Sequence, residues 1–334
     1  MAQLTLSRGK RLMLLFALGA TILPAATHPR QRFAWLANDP NNTYDAATLA
    51  GIRDVAGVAG ATIDPFYAGF DPDVQLAQCH QAIASGLYDG LFVEAADPVA
   101  IEPCVAEARQ KHLPVVATDL PIGPDPNTVM PQVPGEIGSI FIPAPHWGTA
   151  VQNITPQVCQ GLNPCNVFYL AGVSTYAFDM DGVQGIQAAA AANSSILLRV
   201  VDQAYYDTAT AYQVALAQLQ AHPEVNVLIA AGDQMALGVE QAAAMLGRSL
   251  RIVGAGAGGT AIAAVKAGRW YATFTAVPRT EGQVGAAIME AYLVDSRIPP
   301  MGFDPIVISR LPDWWTQATL AQNPSFQPQW PGPM

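Results

Sequence analysis

The chain has 334 residues, of which 51% are apolar and only 13% are charged. That length exceeds what one hydrophobic core normally supports, so two lobes are expected. The formal net charge of -10 leaves no basic stripe that could displace counterions from a phosphate backbone, which argues against a nucleic-acid partner.

The N-terminus has the pattern of a signal peptide. Basic residues within 8–11 precede an apolar stretch at about 12–23, and the small residues Ala25 and Ala26 follow. The stretch is shorter than the roughly 20 residues that a membrane helix needs, and no cysteine follows it as a lipid-anchor site. We therefore expect residues 1–26 to be removed on export to the periplasm or the cell exterior, leaving a soluble protein. A buried N-terminal helix is the alternative, because the cleavage pattern is imperfect.

Short apolar runs then alternate with stretches of helix length, which is the pattern of βαβ units around a parallel sheet. The first series is predicted as strand, helix, strand, helix, strand and strand at residues 33–37, 44–60, 91–95, 98–112, 114–118 and 138–142. A proline-rich segment at 121–134 precedes the last strand, and a lobe boundary is expected just after it.

A second series of βα units follows this boundary. Its strands are predicted at 166–170, 196–200, 225–230 and 250–254, and its helices around 185–193 and at 209–222, 234–246 and 260–268. A strand at 271–276 leads to another lobe crossing, and a helix at 281–294 is expected to pack back on the first lobe. Beyond Pro312 the chain is polar and proline-rich, so its tryptophans Trp314, Trp315 and Trp330 are expected in surface packing that loosens at the end.

Four cysteines in an exported chain are disulfide candidates, and three pairings are formally open. Proximity in the sequence favours a bond between Cys79 and Cys104 and another between Cys159 and Cys165. Cys79 and Cys104 fall on successive crossover helices, which right-handed connections place on one face of the sheet. Metal binding is the disfavoured alternative, because neither Cys-x-x-Cys spacing nor a histidine cluster is present.

A glycine cluster at Gly254, Gly256 and Gly259 matches the spacing of a dinucleotide-binding loop. Such a site also needs an acidic residue at the end of the next strand, and residues 270–276 contain none. The cluster is interpreted as a tight turn, and no cofactor is expected. Asp233, shortly before it, is interpreted as a helix N-cap.

Several segments, in their order and spacing, carry a family resemblance. They are residues 38–44, 114–119, 232–238, 252–254, 266–268 and 271–278. With them the chain resembles type I periplasmic solute-binding proteins of the ribose-binding, sugar ABC transporter class. The resemblance implies two doubly wound parallel-sheet lobes joined by a three-segment hinge, with ligand held where strands end. The implied lobes and tail are residues 31–142 with 277–305, residues 143–276 with 306–325, and a tail at 326–334.

The resemblance also implies contact residues in the cleft. The family's polar first-lobe positions correspond to Asn38, Asp39, Asn42, Tyr44 and Asp119. In the second lobe the implied contacts are aromatic, at Tyr176, Phe178 and Tyr206, whose alternative is ordinary packing. The family's other polar pocket positions are lost at Leu120, near Gly182, and at Gly232, Gly256 and Ala276.

These features predict a receptor that captures a neutral sugar, polyol or cyclitol by hinge closure and delivers it, as a monomer, to the permease of an ABC importer. Acidic cleft candidates argue against an anionic ligand: Asp39, Asp45, Asp119, Asp179 and Asp181. An amine-bearing or less polar ligand, or a role as receptor subunit for a sensor kinase, remains open. An enzyme is disfavoured, because none of the five histidines lies near a nucleophile motif.

Overall fold

The structure is a computed structural model that describes residues 30–333, so the predicted signal peptide at 1–26 lies outside the described residues. The strands are β1 Arg32–Ala37, β2 Thr62–Tyr67, β3 Gly90–Val93, β4 Val115–Thr118, β5 Glu136–Ile140, β6 Cys165–Ala171, β7 Ile196–Gln203, β8 Val227–Ala230, β9 Arg251–Ala255, β10 Ala272–Phe274, β11 Met301–Phe303 and β12 Trp314–Trp315. The helices are α1 Thr43–Ala56, α2 Pro72–Ser85, α3 Glu102–Gln110, α4 Ala144–Val158, α5 Ala177–Ala192, α6 Thr208–Ala221, α7 Asp233–Met245, α8 Gly259–Lys266, α9 Pro278–Val294, α10 Pro305–Ser309 and α11 Gln317–Gln322, and a 3-10 turn at Gly57–Ala59 follows α1.

The strands form two sheets of six. The first has the order β11-β5-β4-β3-β1-β2 and is parallel throughout. The second has the order β12-β10-β9-β8-β6-β7, in which only the short β12 is antiparallel to its neighbour. Strand order reverses beside β1 and again beside β6, so each sheet is doubly wound and the predicted fold class is confirmed.

Helices cover both faces of the first sheet, because the side chains of β1 point alternately to the two faces and are apolar on both. Ala34 and Leu36 pack in the layer that contains α2 and α3, whereas Phe33 and Trp35 pack in the layer that contains α1 and α9. A strand buried on both faces is apolar at every position, which is why β1 appears in the sequence as a continuous apolar run.

The chain passes between the sheets three times. It leaves the first sheet after β5, returns after β10, and crosses again after β11. The return is fixed by close packing of α9 on α1: a side chain at Gly282 would approach the carbonyl oxygen of Thr48 to 2.0 Å. Only glycine allows the two helix backbones to come this near.

Two disulfide bonds join the pairs that sequence proximity favours. Cys79–Cys104 links α2 to α3 within the core of the first sheet, and Cys159–Cys165 links the end of α4 to the start of β6. The first bond therefore joins two neighbouring helices, and the second closes the loop between a helix and the strand that follows it.

Two sequence expectations need correction. Strand β2, which forms the edge of the first sheet, was missed, because Pro65 interrupts its pattern and its residues are only partly buried. The expected surface packing of the C-terminal tryptophans is wrong: Trp315 is fully buried in β12 and stacks on Phe326, and Trp330 is 3% exposed. These rings remove large apolar areas from water, which outweighs the polar composition of the tail.

Candidate functional site

A cavity of about 550 Å³ lies between the two sheets, at the carboxyl ends of their strands. Its walls include Asn38 after β1, Glu94 after β3 and Asp119 after β4 on one side, and Gly232 after β8 and Gly256 after β9 on the other. This is where open α/β sheets bind ligands, and the volume suits a small molecule.

The wall from the first sheet is polar and acidic. Asn38 and Glu94 are buried, and the Asn38 amide Nδ2 donates to Glu94 Oε1 at 2.9 Å. The hydroxyl of Tyr44 donates to Glu281 Oε1, the first-turn carboxylate of α9, at 3.0 Å. Asp119 follows β4 with a φ of 63°, in the left-handed region that few non-glycine residues adopt. Such strained residues concentrate at functional sites.

The start of α1 places two further side chains against the cavity. Asn42 caps the helix, its Oδ1 accepting from the backbone N–H of Tyr44 at 2.9 Å. Asp45, in the first turn, accepts from the backbone N–H of Asp39 at 3.1 Å, and its side chain lines the cavity. The helix N-terminus favours a carboxylate at this position.

Acidic side chains crowd this wall and raise one another's pKa values. Burial raises the pKa of Asp119 to about 6, and burial, then the neighbouring carboxylates, raises the pKa of Glu94 well above its usual range. The pKa of Asp45 is raised for the same reason. Of the cavity-lining residues within 30–333, none is a lysine, arginine or histidine.

The wall from the second sheet is aromatic and apolar. Phe178 lines it and stacks on Trp147, with ring centroids 5.0 Å apart. The hydroxyl of Tyr206 donates to Asp179 Oδ2 at 3.0 Å, and Asp179 also accepts from the backbone N–H groups of Gly172 and Val173. Asp179 thus holds the loop after β6 rather than facing the cavity, and burial raises its pKa to about 6.

The two walls are hydrogen-bonded to each other at the cavity rim. The hydroxyl of Tyr176, before α5, donates to the carbonyl oxygen of Ala96, after β3, at 2.9 Å. The amide of Gln234 in α7 donates to Asn42 Oδ1 at 3.2 Å. The structure therefore has its cleft closed, with both lobes in contact around the cavity.

The C-terminal segment, residues 329–333, adds a second set of contacts between the lobes. Trp330 donates from Nε1 to the carbonyl oxygen of Gly256 at 2.7 Å, and its ring meets that of Tyr44 edge-on at 5.7 Å. The carbonyl oxygen of Gly332 accepts from the Thr43 hydroxyl at 3.0 Å. A side chain at Gly256 would approach the Trp330 ring to 2.6 Å, so the indole fills the space beside this glycine.

Seven of the eight predicted contact residues line the cavity: Asn38, Asn42, Tyr44, Asp119, Tyr176, Phe178 and Tyr206. Asp39 does not; its carboxylate accepts from the backbone N–H of Asn41 and shapes the turn before α1. Asp181 also lies away from the cavity wall.

Sequence reasoning missed Glu94 and misassigned Asp233. The predicted strand at 91–95 is too long, since β3 ends at Val93, and Glu94 is the polar residue that follows it. The N-cap of α7 is Gly232, so the prediction for Asp233 is wrong. Asp233 accepts instead from Thr273 Oγ1 at 2.7 Å and from the Gly258 N–H at 2.9 Å, and burial raises its pKa to about 7.

Comparison with known proteins places the chain in a family. The family model described as "Periplasmic binding protein domain" matches residues 33–296. No curated protein matches the chain. Among the helices within residues 30–333, none has the length and apolar character needed to cross a membrane.

Solved structures show the same fold at low sequence identity. An ABC transporter solute-binding protein from Actinobacillus succinogenes with bound D-allose is 18% identical, covers 88% of this chain and 100% of its own, and has a TM-score of 0.74. One from Mycobacterium smegmatis with bound glycerol is 20% identical, with coverages of 90% and 99% and a TM-score of 0.76. One from Bacillus halodurans with bound myo-inositol is 13% identical, with coverages of 88% and 97% and a TM-score of 0.73.

The family match covers strands β1 to β10 and helices α1 to α9, which carry the cavity walls. It agrees with the two doubly wound lobes and with a cleft at the strand ends, and it identifies a binding protein rather than an enzyme. The chain therefore belongs to the periplasmic binding protein family, and it has the type I fold of these solved solute-binding proteins.

Proposed function

We propose that this protein is the exported solute receptor of an ABC importer and that it captures a sugar-like polyhydroxylated molecule, a sugar, polyol or cyclitol, between its lobes. The observation that carries the proposal is the cavity of about 550 Å³ whose walls come from both sheets. Its size suits one monosaccharide or cyclitol. The sugars and polyols bound by the structural neighbours named above give the same expectation for this chain.

The two walls suit the two kinds of surface that a sugar ring presents. The carboxylates and amides after β1, β3 and β4 can accept hydrogen bonds from hydroxyl groups. Phe178 and Tyr206 can cover the C–H face of the ring from the other side.

Capture proceeds by hinge closure in this proposal. The moving bodies are residues 31–142 with 277–305 and residues 143–276 with 306–325, and they separate at the contacts of Tyr176 with Ala96 and Gln234 with Asn42. A ligand that touches both walls binds the closed form better than the open form and so shifts the population. The closed, monomeric receptor is then recognised by the membrane permease, in the periplasm or at the outer face of the cell membrane.

The test is a thermal-shift screen of the mature chain against sugars, polyols, cyclitols, nucleosides and amino acids, with calorimetry on each hit. A compound present at 100 times its dissociation constant adds about 2.7 kcal/mol to the free energy of unfolding, which is readily measured. Hits confined to nucleosides or amino acids would refute the proposed ligand class. Uptake of a hit by proteoliposomes that contain the permease would separate transport from a purely sensory role.

A further inference from the structure

Two buried acceptor atoms in the acidic wall have no hydrogen-bond partner anywhere in residues 30–333. They are Asn38 Oδ1 and Glu94 Oε2. Asn38 is 0% exposed and Glu94 is 3% exposed, and both residues line the cavity. Buried polar atoms are almost always paired in native proteins, so these two indicate where a bound molecule completes the site.

The two atoms are fixed in place by the hydrogen bond between their own side chains. Because the Asn38 amide donates to Glu94 Oε1, the orientation of the amide is set and its oxygen is left as an acceptor. When a neighbouring cation holds Glu94 in its ionised form, the site presents a carboxylate oxygen and an amide oxygen that can both accept from a group with several N–H or O–H donors. A protonated primary amine supplies three donors and no acceptor, whereas a hydroxyl supplies one donor.

Charge favours the same group. Asp45 and Asp119 stand beside Glu94 in the cavity wall, and Glu281 lies behind Tyr44. Burial, followed by repulsion from neighbouring carboxylates, raises the pKa values of Glu94 and Glu281. With no lysine, arginine or histidine among the wall residues that the structure describes, a cation on the ligand would be the charge that offsets this repulsion.

We propose that the natural ligand is an amine-bearing polyhydroxylated compound, such as an amino sugar or aminocyclitol, whose protonated primary or secondary amine binds Glu94 and Asn38. The inference rests on the proposed function and replaces the neutral ligand expected from sequence. A quaternary ammonium does not fit, because it has no N–H to donate to the two free acceptors. The aromatic wall, with Tyr176 and Phe178, then covers the less polar face of the ring.

The test compares compounds that differ only at the amine. D-glucosamine is measured against D-glucose and the uncharged N-acetyl-D-glucosamine, scyllo-inosamine is measured against scyllo-inositol, and cyclohexylamine serves as an amine without hydroxyls. Calorimetry on the mature chain at pH 7 is expected to show at least about tenfold tighter binding of an amino compound than of its neutral partner, equivalent to about 1.4 kcal/mol.

A pair of variants locates the amine. Glu94→Gln keeps the acceptor for the Asn38 amide but removes the charge, so it is expected to abolish the preference for the amino compound. Glu136→Gln is the matched control, because Glu136 is equally buried in the same sheet but lies at the start of β5, outside the cavity wall. It is expected to leave the preference unchanged.

Each outcome bears on one of the two proposals. Equal or tighter binding of the neutral partners overturns the inference and leaves the proposed function standing. Binding of cyclohexylamine alone supports an amine site and refutes the polyhydroxylated ligand class. If none of these probes binds but a neutral sugar, polyol or cyclitol of the wider panel does, the inference is overturned and the proposed function stands. If nothing in the wider panel binds, the proposed function is overturned. An amine preference that survives in Glu94→Gln overturns the assignment of Glu94.

Discussion

Asp119 has three features that are typical of a ligand-contact residue. It follows a buried strand, adopts a left-handed backbone conformation with a φ of 63°, and presents its carboxylate to the cavity. The hydroxyl of Tyr44, which also lines the cavity, favours the ionised form of this carboxylate, against the effect of burial.

Asp119→Ala is therefore expected to lower the affinity for the best binder of the panel at least about tenfold, the usual order for loss of a buried charged hydrogen bond. The midpoint of thermal unfolding should not fall, because a carboxylate whose folded pKa is raised by burial opposes folding at pH 7. Calorimetry and a melting curve on the same sample give both numbers. Asp181→Ala, outside the wall, is the control, and unchanged affinity in Asp119→Ala would remove Asp119 from the site.

The family resemblance located most of the cavity-lining residues that were predicted, and accurate strand ends helped at two of them. Asn38 and Asp119 follow strands whose ends were predicted to within a residue, and both line the cavity. Glu94 was missed because an apolar run gives no signal for where hydrogen bonding to the next strand stops. The position of Trp330 could not be foreseen, since its contact with Gly256 joins residues that are 74 positions apart.

Among the elements, the crossing segments are held together by a histidine. His146, in the first turn of α4, bonds through Nδ1 to Asp304 at 2.5 Å and through Nε2 to Asp313 at 2.9 Å. Asp304 caps α10, so the first and third crossings between the lobes are tied at this point. The hydrogen bonds that His146 donates to the two carboxylates, against the effect of burial, raise the pKa of His146 to about 9.

We expect His146→Ala to lower the free energy of unfolding at pH 7 by about 2 kcal/mol, a value reduced for the partial exposure of the site. Because the folded pKa exceeds the unfolded one, near 6.5, the contribution is complete below pH 6.5 and is lost as the pH rises through about 9. Urea unfolding of wild type and variant at pH 6, 8 and 10 measures this contribution to the free energy of unfolding. The difference between wild type and variant should shrink toward pH 10, and a constant difference would contradict the charged pairing. His80→Ala, at an exposed site, is the control.

The two disulfides close loops of different length, so they should contribute different amounts to the free energy of unfolding. Cys79–Cys104 spans 25 residues and Cys159–Cys165 spans 6. Loop entropy predicts that replacing the first pair by alanine costs about 3.5 kcal/mol and the second about 2 kcal/mol. Equilibrium unfolding of the two double variants in guanidinium chloride tests the order. A larger loss for the short loop would show that packing around β6, rather than chain entropy, sets the contribution.

At the scale of the whole molecule, the lobes are joined by more than the three crossings. Tyr176 and Gln234 bond across the cavity rim, and residues 329–333 bond to α1 on one lobe and to the α8 region on the other. Gln329 also pairs with Thr280 at the start of α9. We therefore expect the C-terminal segment to act as a strap that favours the closed form.

Deleting residues 329–334 is expected to shift the ligand-free protein toward the open form and to weaken binding. The physical reason is that closure then loses the Trp330 and Gln329 contacts, while the cavity wall itself is unchanged. Small-angle scattering should report a larger radius of gyration for the truncated protein without ligand and the same radius as wild type when saturated. Tyr176→Phe tests the rim bond separately, and identical ligand-free radii in all three proteins would contradict the strap.

The position of Trp330 between the lobes should make its fluorescence sensitive to their separation. The other tryptophans within residues 30–333 lie inside one lobe or the other, whereas the Trp330 indole is enclosed jointly by Gly256 of one lobe and Tyr44 of the other. Separation of the lobes would carry this ring from an apolar surrounding into water and move its fluorescence to longer wavelength. The protein thus contains its own spectroscopic reporter of opening and closing, readable in a stopped-flow mixer without any attached dye.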